Sequence, residues 1–171
     1  MEYHELIRQR YSVRKYSDRA LTSGQIDEIL MAGNIAPTAR DNQPQRIYVM
    51  ESKEAMAKLA DVIGPMAFGA PNAFLICADK DEAAVGAFDG RSFAETDATI
   101  VTTHMMLAAH DIGLGTCWVG YFDPKIVREA FSIPDNEAIY HILIVGYPAE
   151  DATPGPLHAK RKTLGATVRV L

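Results

Sequence analysis

Apolar residues recur at three- and four-residue intervals in several segments of the chain, and this spacing predicts amphipathic helices. One helix begins at the capping-box sequence Thr22-Ser-Gly-Gln25. A second begins after Ser52, and a third begins at Asp123-Pro124, where aspartate can cap and proline suits the first helical position. The longest helical segment, 96–112, is apolar on nearly every side, so we expect a central buried helix there. A short helix over 4–9 precedes them all.

Short apolar runs between these helices predict strands. The continuous run at 73–78 (AFLICA) is too short for a buried helix, and we assign further strands to 46–50, 116–119 and 138–145. A last strand is expected over 167–171. Helices and strands mix without a regular βαβ repeat, so the pattern predicts an α+β fold rather than a doubly wound parallel sheet.

The composition is that of an ordinary globular protein. The chain has 171 residues, 48% of them hydrophobic and 23% charged, which suits one domain over 1–171. A net charge of −5 argues against binding to nucleic acid or to a membrane surface, since both need broad positive surface. Cys77 and Cys117 form no C-x-x-C pair, and the charged start MEYHELIRQR lacks a signal-peptide pattern. We therefore expect a cytoplasmic protein.

The segment RQRYSVRKY carries the strongest chemical signal. Arg10, Ser12 and Arg14 alternate, so in an extended backbone they share one face that offers two guanidinium forks and a hydroxyl to an oxyanion such as phosphate. Two exposed arginines beside a helix C-terminus explain the same residues equally well. A second basic cluster, Lys160-Arg161-Lys162, favours the phosphate interpretation if the fold brings the two ends of the chain together.

Other motifs are better explained without special chemistry. Gly113 and Gly115 follow a predicted helix and precede a strand, which is the wrong order for a dinucleotide-binding fingerprint. Cys117, in an apolar strand, is expected to be a buried structural thiol rather than a nucleophile. The polar, proline-bracketed segment 36–44 (APTARDNQP) can bond the edge of a heterocycle, although its composition alone favours a plain connecting loop.

Taken in order, these motifs resemble the FMN-dependent nitroreductase superfamily, in its compact branch. RQRYSVRKY is similar to the phosphate-binding opening of that family, and APTARDNQPQRIYV to the loop that closes over the flavin. The stretch DATIVTTHMMLAAHDIGLGTCWVGYFDP resembles its central helix, glycine turn and the strand beneath the flavin ring. VGYPAED and KRKTL resemble the end of the last main strand and the phosphate-contacting tail.

The resemblance implies a mostly antiparallel sheet flanked by helices, with FMN held at the interface of a homodimer and a C-terminal strand exchanged between subunits. Arg10, Ser12 and Arg161 would hold the phosphate, and Arg14 the phosphate or the pyrimidine edge. Backbone N–H groups near Gly120 and Tyr121 would face the flavin ring. The other cofactor-binding residues that it implies are Tyr11, Trp118, Val119 and Lys160, together with Pro37, Thr38, Ala39 and Gln43 from the partner subunit.

The chain departs from the family pattern in places. Many relatives carry asparagine where this chain has Asp41 and tryptophan where it has Gln45, and the insertion that covers the substrate in longer relatives is short here.

The resemblance implies hydride transfer from NADH or NADPH through FMN to nitroaromatics, quinones or related acceptors, in a ping-pong order and with no catalytic side chain. The alternatives are a flavin enzyme with another reaction, such as dehalogenation or flavin breakdown, and a non-catalytic nucleotide-binding sensor.

Overall fold

The computed structural model describes all residues 1–171 and contains six α-helices, four strands and two short 3₁₀ helices, Ala39–Asp41 and Gly64–Ala67. The helices are α1 (Tyr3–Gln9), α2 (Ser23–Asn34), α3 (Lys53–Ile63), α4 (Ala94–Asp111), α5 (Pro124–Phe131) and α6 (Leu164–Thr167). The strands are β1 (Gln45–Met50), β2 (Asn72–Asp79), β3 (Gly115–Val119) and β4 (Glu137–Gly146). No helix is both long enough and apolar enough to cross a membrane.

The four strands form one sheet in the order β1-β2-β4-β3, and every neighbouring pair is antiparallel. Strand β2 is buried along its whole length because it lies inside the sheet and helices cover both faces. The predicted α+β fold with an antiparallel sheet is confirmed.

Two hydrophobic cores lie on opposite faces of the sheet, because successive strand residues point to opposite sides. Leu75 and Ile142 face α3 and α5, whereas Phe74 and Leu143 face α2 and α4. Helix α4, buried at Val101 and Met105, is the central helix that the sequence predicts. The sheet is therefore a rigid platform between two helical layers.

The segment after α1 extends the sheet beyond β3. Ser12 bridges Thr116 in parallel orientation, and the Val13 N–H donates to the Thr116 carbonyl at 2.9 Å. Val13 is buried, with 2% of its surface exposed, so it anchors the segment. The residues on either side of it, Ser12 and Arg14, are therefore held at a defined place along the edge of β3.

The strand predicted over 167–171 is wrong for this chain. Residues 164–167 form a single helical turn, and 168–171 continue with extended backbone at Val168 but pair with no strand. Every residue from 159 to the end is exposed. Backbone groups of a strand need a neighbouring edge, and the tail meets none within one chain.

Candidate functional site

A cationic pocket of about 400 Å³ lies where the two ends of the chain meet. Its walls come from the segment after α1 and from the tail that follows β4. They consist of Arg10, Ser12, Arg14, Gly155, Pro156, Leu157, His158 and Arg161. Arg10, Ser12 and Arg14 thus share one face, as their alternation predicts, and Arg161 from the far end of the sequence joins them.

The tail is held against the N-terminal segment by contacts on the other side of the backbone. Tyr11 does not line the pocket. Its ring meets the ring of His158, a residue of the pocket wall, edge-on at 6.1 Å, and its hydroxyl donates to the Ala152 carbonyl at 3.4 Å. Lys15 forms an ion pair with Asp151. The side chain of Tyr11 therefore contacts the tail rather than the space inside the pocket.

The pocket holds positive charge without a balancing carboxylate. None of the ion pairs in the chain involves Arg10, Arg14 or Arg161. Burial lowers the pKa of the Arg10 guanidinium, and the neighbouring charge of Arg161 lowers it further. Two guanidinium groups that repel each other at the wall of one pocket would both be stabilised by an anion between them.

The backbone after β3 is accessible farther along the same edge. Gly120 and Tyr121 are exposed, and 85% of the Tyr121 surface is open to solvent. Because Ser12 pairs with Thr116, Gly120 lies four residues farther on, about 13 Å in an extended strand. An elongated ligand with its anionic end in the pocket can therefore reach this backbone.

The side chains of Trp118 and Val119 are engaged in packing instead. Val119 is buried in the core that faces α3 and α5. The Trp118 ring meets the His141 ring edge-on, with 4.6 Å between the centroids, on the opposite face of the sheet. Val119 can therefore meet a ligand only through its backbone, whereas the Trp118 ring is packed but partly exposed.

The loop 37–43 does not join the cationic pocket. It precedes β1, whereas the pocket adjoins β3, and these strands are the two opposite edges of the sheet. Three strand spacings, about 14 Å, separate the edges. The loop contains Pro37, Thr38, Ala39 and Gln43, and of these Gln43 lines a separate surface cavity of about 690 Å³ together with residues of α2 and β1.

Several residues of the cationic pocket and of the surroundings of the loop 37–43 were not predicted from the sequence. The turn at 155–158 lines the pocket although Lys160 does not, and the Gly-Pro step at 155–156 was the available signal. Asp97 is buried in α4 and accepts a hydrogen bond from the loop, at Ala39. The sequence offered no specific signal for it, since Glu95 and Asp111 are acidic residues of the same helix.

Comparison with known proteins agrees with the fold. The sequence matches the model of the Nitroreductase family over residues 7–75 and 62–147. A solved structure of a nitroreductase family protein from Clostridium difficile 630 superposes with a TM-score of 0.92, at 40% identity over 99% of this chain and 98% of that one.

Two other similar proteins carry names that mention a reaction. One, from Methanothermobacter thermautotrophicus, is provisionally named NADH dehydrogenase/NAD(P)H nitroreductase and is 33% identical over 88% of this chain and 80% of its own length. The other is a solved FMN-dependent nitroreductase from Clostridium difficile R20291, with 25% identity, a TM-score of 0.76, and coverage of 93% of this chain and 98% of that one.

Proposed function

The chain belongs to the nitroreductase family, and on that premise we propose that it is an NAD(P)H-dependent oxidoreductase that uses FMN to reduce small electrophilic acceptors such as nitroaromatics and quinones. The observation that carries the proposal is the cationic pocket formed by both ends of the chain. A pocket built from guanidinium groups without carboxylate partners suits a terminal phosphate, which is the anionic end of FMN.

The residues present fit FMN along the whole edge of β3. Arg10, Ser12 and Arg161 would hold the phosphate, with Arg10 and Arg161 relieved of their mutual repulsion. The N–H groups around Gly120 and Tyr121 would donate to the ring system. Arg14 would place positive charge near the pyrimidine edge and so favour the reduced, anionic form of the cofactor.

When bound, FMN accepts a hydride from NADH or NADPH and passes the electrons to a second substrate, an alternation that gives ping-pong kinetics. The chain itself contributes binding, orientation and charge, and no side chain is assigned as an acid or base. Both cysteines, Cys77 and Cys117, are buried free thiols, and burial raises the pKa of each. Neither thiol is therefore offered as a nucleophile, and the proposal includes a reducing, cytoplasmic setting.

A homodimer completes the site in this proposal. In one chain the loop 37–43 lies across the sheet from the cationic pocket, so Pro37, Thr38, Ala39 and Gln43 would line a flavin held by the partner subunit. Apolar side chains are exposed near that loop, with 59% of Met31 and 70% of Ile35 open to solvent. The exposed tail, with Leu164 and Val170 uncovered, would cross onto the partner.

Reconstitution with FMN followed by reduction tests the function. We expect purified protein mixed with FMN to remain yellow after gel filtration, to bleach on addition of NADH or NADPH under anaerobic conditions, and to recolour with a nitroaromatic or a quinone. Protein that stays colourless with FMN contradicts the proposed cofactor. Protein that binds FMN but is not bleached by either nicotinamide contradicts the enzyme and supports a sensor.

A further inference from the structure

We infer that Asp97 is a positioning residue, whose buried carboxylate holds the backbone of the loop 37–43 in the conformation that the loop presents to the flavin. This inference rests on the proposed function, because that function assigns the loop to the cofactor. Asp97 belongs to α4 and lies behind the loop, so it acts through Ala39 rather than on the cofactor itself.

The geometry links one buried side chain to one backbone group of the loop. Only 1% of the surface of Asp97 is exposed. Its Oδ1 atom accepts a hydrogen bond from the Ala39 N–H at 2.9 Å, whereas Oδ2 is buried without any partner. The only hydrogen bond that the Asp97 carboxylate makes is therefore the one to the loop.

The loop needs such support because its backbone is in a conformation that side chains disfavour. Arg40, Asp41 and Gln43 have φ values of 57°, 54° and 51°, in the left-handed region that residues other than glycine rarely adopt. Conformations of this kind persist when surrounding contacts enforce them. The Thr38 hydroxyl accepts from the Gln43 N–H at 3.0 Å, and the Asn42 amide donates to the Glu82 carbonyl at 2.8 Å.

Each of these hydrogen bonds holds a different part of the loop in place. The bond between Asn42 and Glu82 fixes the end near β1, and the bond between Thr38 and Gln43 closes the loop on itself. Asp97 alone among the side chains of α4 ties the start of the loop to a helix in the core. Without it, we expect the residues at 38–41 to relax toward ordinary conformations.

A buried carboxylate with one unpaired oxygen is costly, so its presence calls for a reason. Asp97 lies in the first turn of α4, where the positive end of the helix dipole offsets part of that cost. A neutral residue would pack in the same place without the penalty. The bond to Ala39 supplies the reason, because it sets the conformation of a segment that carries function.

Asp97→Ala and Asp97→Asn separate this role from general packing. In flavin-free protein, we expect Asp97→Ala to raise the hydrogen-exchange rate of the Ala39 amide about tenfold and to raise the Kd for FMN by a similar factor. Asp97→Asn keeps an oxygen that can accept from Ala39, so both quantities should stay within about threefold of wild type. Asparagine also preserves the volume of aspartate, so Asp97→Leu, which fills the site without accepting a hydrogen bond, separates the two roles and should resemble Asp97→Ala. Wild-type Ala39 exchange and FMN affinity in Asp97→Leu would overturn the inference.

Thr102→Val is the matched control, since Thr102 is buried in the same helix and bonds only to the Ala98 carbonyl. It should change the melting temperature without changing Ala39 exchange or FMN affinity. The inference is overturned if Asp97→Ala behaves like this control, or if Asp97→Asn weakens FMN binding as much as Asp97→Ala does.

Two further arms keep the result interpretable. If Asp97→Ala does not fold, Ala39→Pro removes the same hydrogen bond from the loop side, because proline has no N–H, and unchanged FMN affinity in that variant overturns the inference. If wild-type protein does not bind FMN, the proposed function fails. The exchange measurement still decides whether Asp97 holds Ala39.

Discussion

The cationic pocket and the loop 37–43 achieve ligand contact in opposite ways. The pocket presents charged side chains from a backbone in ordinary extended conformation, pinned to β3 through Val13. The loop presents short, mostly uncharged groups from a backbone with three residues in the left-handed region, held from behind by Asp97. Ligand contact in the pocket depends on which side chains are present, whereas ligand contact in the loop depends on the backbone conformation.

The difference explains how each region should respond to change. Removing a guanidinium from the pocket deletes a contact with the ligand but leaves the pinned backbone in place. Removing support from the loop deletes no proposed ligand contact, yet we expect it to change the backbone conformation at residues 38–41. Within one chain the two regions lie at opposite edges of the sheet, so a substitution in one region should leave the conformation of the other unchanged.

The largest effect is expected from removing Arg10 and Arg161, which come from opposite ends of the chain and both line the pocket. Arg10→Ala combined with Arg161→Ala should raise the Kd for FMN about a hundredfold, or about 3 kcal/mol, the scale of lost charge-assisted hydrogen bonds. Riboflavin has no phosphate, so its affinity should change less than about threefold. Fluorescence titration of both flavins measures this difference.

Arg8→Ala is the control for that experiment, because Arg8 is exposed in the same part of the chain and does not line the pocket. It should leave both affinities unchanged. An equal loss of FMN and riboflavin affinity in the double variant would contradict phosphate binding by the pocket. It would also remove the contrast between a region that acts through side chains and one that acts through its backbone.

An intermediate effect is expected from Gly115→Ala, which should displace the backbone segment that carries Arg10, Ser12 and Arg14. A Cβ atom at this position would lie 2.6 Å from Val13 Cγ2 and 3.0 Å from Pro148 Cγ, so the Arg10–Arg14 segment would have to move. We expect a loss of about 1–3 kcal/mol in the free energy of unfolding and an FMN affinity about tenfold lower. Urea denaturation and flavin titration measure the two.

Gly24→Ala provides the comparison, since no heavy atom lies within 4 Å of a Cβ built there. That variant should retain both stability and affinity. If Gly115→Ala keeps wild-type FMN affinity, the pocket does not depend on the position of the segment beside β3. The hydrogen exchange of Ala39 should be unaffected in either variant, because the loop lies at the other edge.

The smallest effect concerns acid sensitivity and depends on two histidines, His110 beside the pocket and His141 beside Trp118 of β3. Burial lowers the pKa of His110, and the Arg10 charge lowers it further, while burial lowers the pKa of His141, whose Nε2 atom lies 3.0 Å from the hydroxyl of Thr99 in α4. The unfolded chain therefore takes up these protons first as the pH falls. Stability should decline below about pH 6.5, by at most about 1.4 kcal/mol per pH unit for each site.

Denaturation between pH 5 and pH 8 measures this decline, and His110→Gln and His141→Gln should each remove part of the slope. Trp118 is the single tryptophan and contacts His141, so its fluorescence should titrate in wild type with a midpoint below 6.5 and should not titrate in His141→Gln. A pH dependence identical in all three proteins would show that neither histidine senses acid in the folded state.

Much of the architecture could be predicted from local pattern. The capping box at Thr22 and Gln25 forms as predicted, and Asp123 caps α5 with Pro124 at its first position. Strands β1 to β4 lie within one residue of their predicted bounds, and α4 within two, because burial imposes strong periodicity. The prediction of a strand over 167–171 was wrong, because strand-forming residues adopt that structure only where a neighbouring strand edge is available to pair with.

By itself, the sequence determined the chemistry of the pocket's first wall, since alternation in an extended segment places Arg10, Ser12 and Arg14 on one side. Only the tertiary structure decided that Arg161 and the turn at 155–158 complete the pocket, that Lys160 stays outside it, and that Asp97 reaches Ala39. The physical reason is the sequence separation of the residues that interact. Helix and strand periodicity arises between near neighbours, whereas a contact between residues 58 or more positions apart depends on how every intervening element packs.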